Sequence, residues 1–228
     1  MRYVFHGSHR GDPEKNMPRN IVYLVDEQPR ELAANRRTLE ILLEDSGVVI
    51  KELPPRKRLS GYNKLLADPD TAAFILDQRL MTTGEIVDYN GIRLASHLRG
   101  INPKLPIYIL TNYCSTDTDL RGSNEEIVED ILPKGDLLNH NARLRFKARF
   151  LRRLVVFRDV LSQREARFHA LLTKSLKRKL PAAEQRELDE LQEARLAPLQ
   201  AAELADIAAL GKSIEALKKL IRTTKARR

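Results

Sequence analysis

Five residues far apart in this chain stand where chemistry is possible: Asp26 with Glu27, then Asp77, Thr111 and Lys134. They close the apolar runs Ile21–Val25, Ala72–Leu76, Ile107–Leu110 and Asp130–Leu132, the last followed by Pro133. If those runs are strands of one open α/β sheet, their carboxyl ends share a crevice, which is where such sheets keep their ligand sites. Acids brought together there repel one another unless a hard cation sits between them. Mg²⁺ takes oxygen ligands and keeps several waters, so two or three carboxylates suit it.

The elements that would position these residues can be read from the apolar pattern. Ile21-Val22-Tyr23-Leu24-Val25 is short, apolar and β-branched, as expected of a strand buried on both faces. Pro29 opens a helix with Leu32, Leu39, Leu42 and Leu43 at roughly helical spacing, and Gly47 stops it. Val48-Val49-Ile50 is a second strand, and Leu59 to Ala67 a weak short helix. Ala72–Leu76 is the third strand, Gly91 to Leu98 a helix, and Ile107–Leu110 the fourth strand. Asp117 to Val128 holds another helix, interrupted near Gly122, before the short strand Asp130–Leu132. Strands alternating with helices imply right-handed crossovers and a parallel sheet.

Val25-Asp26-Glu27-Gln28-Pro29, Phe74-Ile75-Leu76-Asp77, Ile109-Leu110-Thr111 and Pro133-Lys134 together resemble, in order and spacing, the landmarks of two-component response-regulator receiver domains (CheY-like). The resemblance covers about residues 20–138. It implies a doubly wound, five-stranded parallel sheet of flavodoxin-like type, here followed by an all-α region. It implies that Asp77 accepts a phosphoryl group in a Mg²⁺-dependent reaction, the donor being a sensor kinase or another phosphodonor. Asp26, Glu27, Asp77 and the backbone carbonyl of Arg79 would hold the Mg²⁺. Lys134 would neutralise a phosphoryl oxygen, and Thr111 would move toward the new group. Such a chain is a self-phosphorylating acceptor, not a turnover enzyme. The chemistry is consistent: an ionised carboxylate needs no general base, and a metal with a lysine supplies the charge cancellation that phosphoryl transfer demands.

The sequence also departs from the family pattern. Residues 78–90, QRLMTTGEIVDYN, make a longer loop than usual after the acceptor, expected to gate access to Asp77 or bind a partner. Asn112 follows Thr111 where a very small residue is usual. Ile131 replaces the customary rotating aromatic, and a proline precedes Lys134 where one usually follows it. Asp26 and Glu27 have a second reading as caps of the next helix, since carboxylates favour helix N-termini.

The chain divides by charge. Residues 1–138 carry 18 Lys/Arg against 21 Asp/Glu, and residues 139–228 carry 22 against 10. Three parts are expected: a loose leader over 1–19, the receiver over 20–138 and a helical output or assembly region over 139–228. In the last part Phe150, Leu154, Phe157 and Leu161 fall on one helix face. Pro181 breaks that helix and starts another, with Glu184 in its first turn. Pro198 reads as a second break or kink. Ile207, Leu210, Ile214, Leu217 and Ile221 then alternate spacings of three and four, a short heptad seam. It suits either an intramolecular hairpin or a dimeric coiled coil.

Several functions are disfavoured. An aspartate-nucleophile phosphatase needs an acid two residues after the nucleophile, and Arg79 stands there. His169, inside a helix, reads as a structural or solvated histidine, and the other histidines have no metal-ligand spacing. A single cysteine, Cys114, fits a reducing cytosol. No apolar run is long enough to span a bilayer and the leader lacks a secretory signal, so a cytoplasmic protein without membrane contact is expected. The segment Arg143–Lys179 has 13 Lys/Arg against two acids. It could meet nucleic acid, an acidic partner or the acidic receiver itself. With no helix-turn-helix pattern, a protein partner or a homo-oligomer through 139–228 is expected ahead of nucleic acid. Two alternatives stay open: an unphosphorylated receiver serving as a scaffold, and a DNA-binding response regulator.

Overall fold

The computed structural model describes residues 20–80, 87–112, 120 and 126–226, with side chains to residue 222. The expected strands form β1 (Asn20–Val25), β2 (Val48–Leu53), β3 (Thr71–Leu76), β4 (Ile107–Thr111) and β5 (Asp130–Pro133). They make one sheet of order β2-β1-β3-β4-β5, and every pairing is parallel. This is the flavodoxin-like order, and its direction reverses between β1 and β3. The ligand crevice of such a sheet therefore opens at the carboxyl ends of those two strands.

Alternation along the strands divides the core in two. On one face Tyr23, Val25, Phe74, Leu76, Ile107 and Ile109 pack with Leu66, Leu94 and Leu98. On the other, Val22, Leu24, Ala73, Ile75, Tyr108 and Leu110 pack with Leu32, Leu39 and Leu42. Strands buried on both sides explain the unbroken apolar runs.

The helices are α1 (Pro29–Leu42), the short α2 (Asn63–Leu66) after a 3-10 turn at Leu59–Tyr62, α3 (Gly91–Ile101), α4 (His140–Lys177) and α5 (Ala182–Ala226). Proline opens α1, and Gly47, at φ 67°, turns the chain into β2. Side chains of Asn90 and Asn139 cap α3 and α4 by accepting from the N–H of Arg93 and Ala142. The leader, residues 81–86 of the long loop, and most of the helix expected over Asp117–Val128 lie outside the described residues.

The structure adds to two expectations. Burial against the sheet continues past residue 138. Phe146, Phe150 and Leu154 of α4 are buried against Tyr108 and the α1 face of the sheet, with the Tyr108, Phe146 and Phe150 rings about one another. The first half of α4 is thus the layer that covers β4 and β5, and only its second half leaves the sheet. Pro198, expected to break or kink the helix, does not break it. It lies within α5, which is held on both sides of it: Leu188 packs with Phe168 and Leu171 of α4, and Ala201 O accepts from Asn63 Nδ2 at 2.8 Å. Proline removes one helical hydrogen bond, and these contacts carry the helix across the gap.

Candidate functional site

Asp26 and Asp77 follow β1 and β3, the neighbouring strands at the reversal point. The ladder runs one step past the strand ends, the N–H of Asp77 donating to Val25 O at 2.7 Å, so the two acids are set side by side. Lys134 follows β5 and reaches across β4 to both. Its Nζ lies 2.7 Å from Asp26 Oδ2 and 3.2 Å from Asp77 Oδ1, with Glu31 Oε2 at 3.9 Å. The remaining oxygens are held by backbone: Gln28 N–H donates to Asp26 Oδ1 at 2.9 Å and Arg79 N–H to Asp77 Oδ2 at 3.0 Å. Thr111, fully buried, ends β4 in register with Pro133 and so sits at the same edge.

Burial makes this a costly arrangement. Asp77 is 6% exposed. Desolvation pushes its carboxyl up to about 6, against the pull of Lys134 and with the push of Asp26. Glu27 is also raised, by burial first and by Asp26, and its Oε2 is buried without a hydrogen-bond partner. Burial works against the Lys134 charge, but the hydrogen bond to Asp26 and the charge of Asp77 outweigh it and hold the ammonium above its ordinary value. The donors are all oxygens of the hard kind that Mg²⁺ takes, and Glu27 has an oxygen to offer. As the side chains stand, no three acidic, histidine or cysteine groups gather tightly enough to hold a metal among the described residues. The cation now between Asp26 and Asp77 is the Lys134 ammonium. The fit to Mg²⁺ is therefore one of donor chemistry.

Four of the expected residues meet here: Asp26, Asp77 and Lys134 in direct contact, and Arg79 through its N–H. Thr111 and Glu27 stand at the same edge. The capping reading of the two acids fails, since α1 is preceded by Gln28 with no side-chain cap. The sequence reading missed Gln78 and Gly91. Gln78 is fully buried, and its Oε1 accepts from Ile92 N–H at 3.2 Å. Gly91 N–H donates to Gln78 O at 2.9 Å. A Cβ on Gly91 would lie 2.3 Å from Asp77 O, so only glycine lets α3 start against the Asp77–Gln78 segment. A glycine at a helix start was the available signal.

The basic character of α4 has a local explanation. Arg149 pairs with Asp130 at 2.8 Å, Arg153 with Glu129 at 2.9 Å, and Arg167 with Glu187 at 2.6 Å. Lys174 pairs with Glu184, and Arg158 donates to Asn20, Pro69 and Asp70. These cations face the acidic receiver and α5 of the same chain. His169 is exposed beside Glu165. No helix among the described residues is long and apolar enough to cross a membrane.

No family model matches this sequence, nor does any curated protein. Solved structures do resemble the fold. A CheY-like receiver domain protein from Methanospirillum hungatei JF-1 is 15% identical, with 61% of this chain and 97% of that one covered at a TM-score of 0.42. A signal receiver domain of an HD domain-containing protein from Pseudomonas fluorescens Pf-5 is 20% identical, with 63% and 94% covered at 0.44. The RcsB response regulator of Salmonella typhimurium is 13% identical, with 82% and 93% covered at 0.43. The strand order and the parallel pairing themselves define the class: the chain has a doubly wound, flavodoxin-like fold, followed by a long helical region.

Proposed function

We propose that this protein is a signalling switch whose Asp77 accepts a phosphoryl group from a kinase or a small acyl phosphate, and whose C-terminal helices carry the output. The observation that supports it most is the convergence of Asp26, Asp77 and Lys134, from three strand ends, within 3.2 Å of one ammonium. An Asp77 carboxylate oxygen forms a bond to phosphorus as the bond from phosphorus to the donor breaks, and the leaving group departs with the electron pair. Lys134 turns from the carboxylate to the incoming phosphoryl oxygens, whose charge it offsets. Asp26, Glu27 and the Arg79 carbonyl are the residues that would hold Mg²⁺, which when bound adds further charge cancellation. The product is an acyl phosphate, so the protein is an acceptor and not a turnover enzyme. The hydroxyl of Thr111 is the group at this edge suited to report the new charge.

A chain of contacts supports an output through α5. Gln78 and Gly91 tie the acceptor segment to the start of α3. On α3, His97 Nε2 lies 2.8 Å from Asn63 Oδ1, and Asn63 Nδ2 holds Ala201 of α5. A shift at Asp77 that moves α3 therefore acts on the seat of α5.

The test is a mass measurement. Incubated with Mg²⁺ and acetyl phosphate, the full chain gains one phosphoryl mass, and Asp77→Asn gains none. The ungathered acids favour one rival, a receiver-like scaffold that is never phosphorylated. Absence of an adduct in the wild type, with every donor tried, would establish it.

A further inference from the structure

We propose that residues 207–221 of α5 pair with the same segment of a second copy of this chain as a parallel, two-stranded coiled coil. This goes beyond the reading of Asp77 and does not depend on it.

Up to Asp206, α5 is fastened to its own receiver. Asn63 holds Ala201 O, and Lys64 Nζ lies 2.9 Å from Asp206 Oδ2. From Asp206 to Arg222 every residue is exposed. On one side Ala208, Ala209 and Lys212 border a cleft with Arg56, Ser60 and Lys64, and among the described residues nothing covers the apolar seam. Helices of this length gain most of their stability from packing an apolar face and are marginal alone.

The pattern of that face selects the occupant. Ile207, Leu210, Ile214, Leu217 and Ile221 are all more than half exposed. They recur with the 3.5-residue period that keeps a seam against a supercoiled partner. Ile207, Ile214 and Ile221 fall at heptad position a, with Leu210 and Leu217 at d. β-branched residues at a with leucine at d favour parallel dimers over other assemblies. A second copy in parallel register offers the same apolar residue at each layer along about 21 Å of helix. It also sets Lys218 beside Ser213 of the other copy, and Asp206 beside Gly211, so no like charges meet. Exposed Leu204 and Leu220 flank the seam and widen it. A helix lying on a membrane surface uses a broader apolar face with aromatic residues, and residues 201–222 contain none.

The test uses the full chain. Sedimentation equilibrium at about 100 µM should give twice the chain mass for the wild type and for Ile214→Val, and the chain mass for Ile214→Glu with its circular dichroism retained. Orientation follows from oxidation in a Cys114→Ser background: Ile207→Cys alone should form a disulfide-linked dimer. A wild type that is monomeric at that concentration overturns the proposal, as does a dimeric Ile214→Glu. Cross-linking only when Ile207→Cys is mixed with Ile221→Cys would show an antiparallel pair and overturn it too. Binding of a monomeric wild type to phosphatidylserine vesicles would assign the face to a membrane instead.

Discussion

Asp77 and Ile214 are misplaced in opposite senses. Asp77 is a charge 6% exposed at the edge of a sheet, and Ile214 is an apolar side chain 51% exposed on a helix. Each is costly where it stands, the first through lost hydration and the second through apolar surface left in water. Between them lies an ordinary α/β core built of buried apolar residues on both faces of the sheet. The comparison separates two kinds of function. On the readings proposed above, the acids at β1 and β3 take a small, charged group, while the seam of α5 takes a large, apolar one. The acidic site is built from four distant parts of the chain, the seam from one run of fifteen residues.

The largest effect should fall on neither site but on the joint between them. Phe150→Ala empties a fully buried position between Tyr108 and Phe146. It should cost about 3–5 kcal/mol in urea unfolding. If α4 were a separate output helix, the same substitution would leave the receiver transition unmoved. Lys134→Met comes next. It leaves Asp26 and Asp77 buried without their cation, and should destabilise the fold by about 3 kcal/mol at pH 7. The loss should shrink as the pH falls below about 6, where Asp77 takes up a proton. A loss independent of pH would mean that Lys134 serves by packing alone.

Asp77→Asn should act in the other direction. The Asp77 carboxyl sits at about 6 in the fold against an ordinary value of 3.8. The folded state therefore holds its proton to higher pH than the unfolded chain does. The penalty is absent below pH 4, grows between the two values and is complete above 6. Removing the charge should raise stability by up to about 3 kcal/mol at pH 7 and by nothing near pH 4. The same titration governs reactivity: the rate of phosphoryl uptake by the wild type should fall as the pH drops through about 6, because the nucleophile is the ionised form. Equal stability of wild type and variant at pH 7 would show that Lys134 fully offsets the burial of Asp77.

How far the sequence could be read depends on the range of the interactions. Strand ends are local: the apolar run Ala72–Leu76 stops at Asp77, and the sheet order then brings Asp26 and Lys134 to it without further information. The contact of Phe146 and Phe150 with Tyr108 is not local. A helical stripe announces that a face is buried but not which surface buries it, so the packing of α4 on the sheet is not legible in the sequence. Whether Pro198 breaks a helix or is carried within one is illegible for the same reason. Its effect on a helix is set by local bonding in isolation, and here Asn63, over a hundred residues away, holds the next turn in place. Gln78 and Gly91 carry no charge and form no motif. Their role appears only when α3 starts against the acceptor strand end.

The smallest effect concerns Ile214, and its smallness is informative. Substitutions at an exposed position usually change stability by no more than about 0.5 kcal/mol. In dilute solution Ile214→Glu should therefore unfold at the same temperature as the wild type, in contrast to every substitution at the sheet edge. Association couples stability to concentration, since a partner that binds only the folded chain shifts its unfolding by mass action. Raising the protein concentration a hundredfold should lift the wild-type Tm and leave that of Ile214→Glu where it was. The exposed isoleucine would then be stabilising only in company, whereas the buried aspartate is costly in every chain. A wild-type Tm that does not move with concentration would remove that contrast, leaving α5 an apolar stripe with no counterpart.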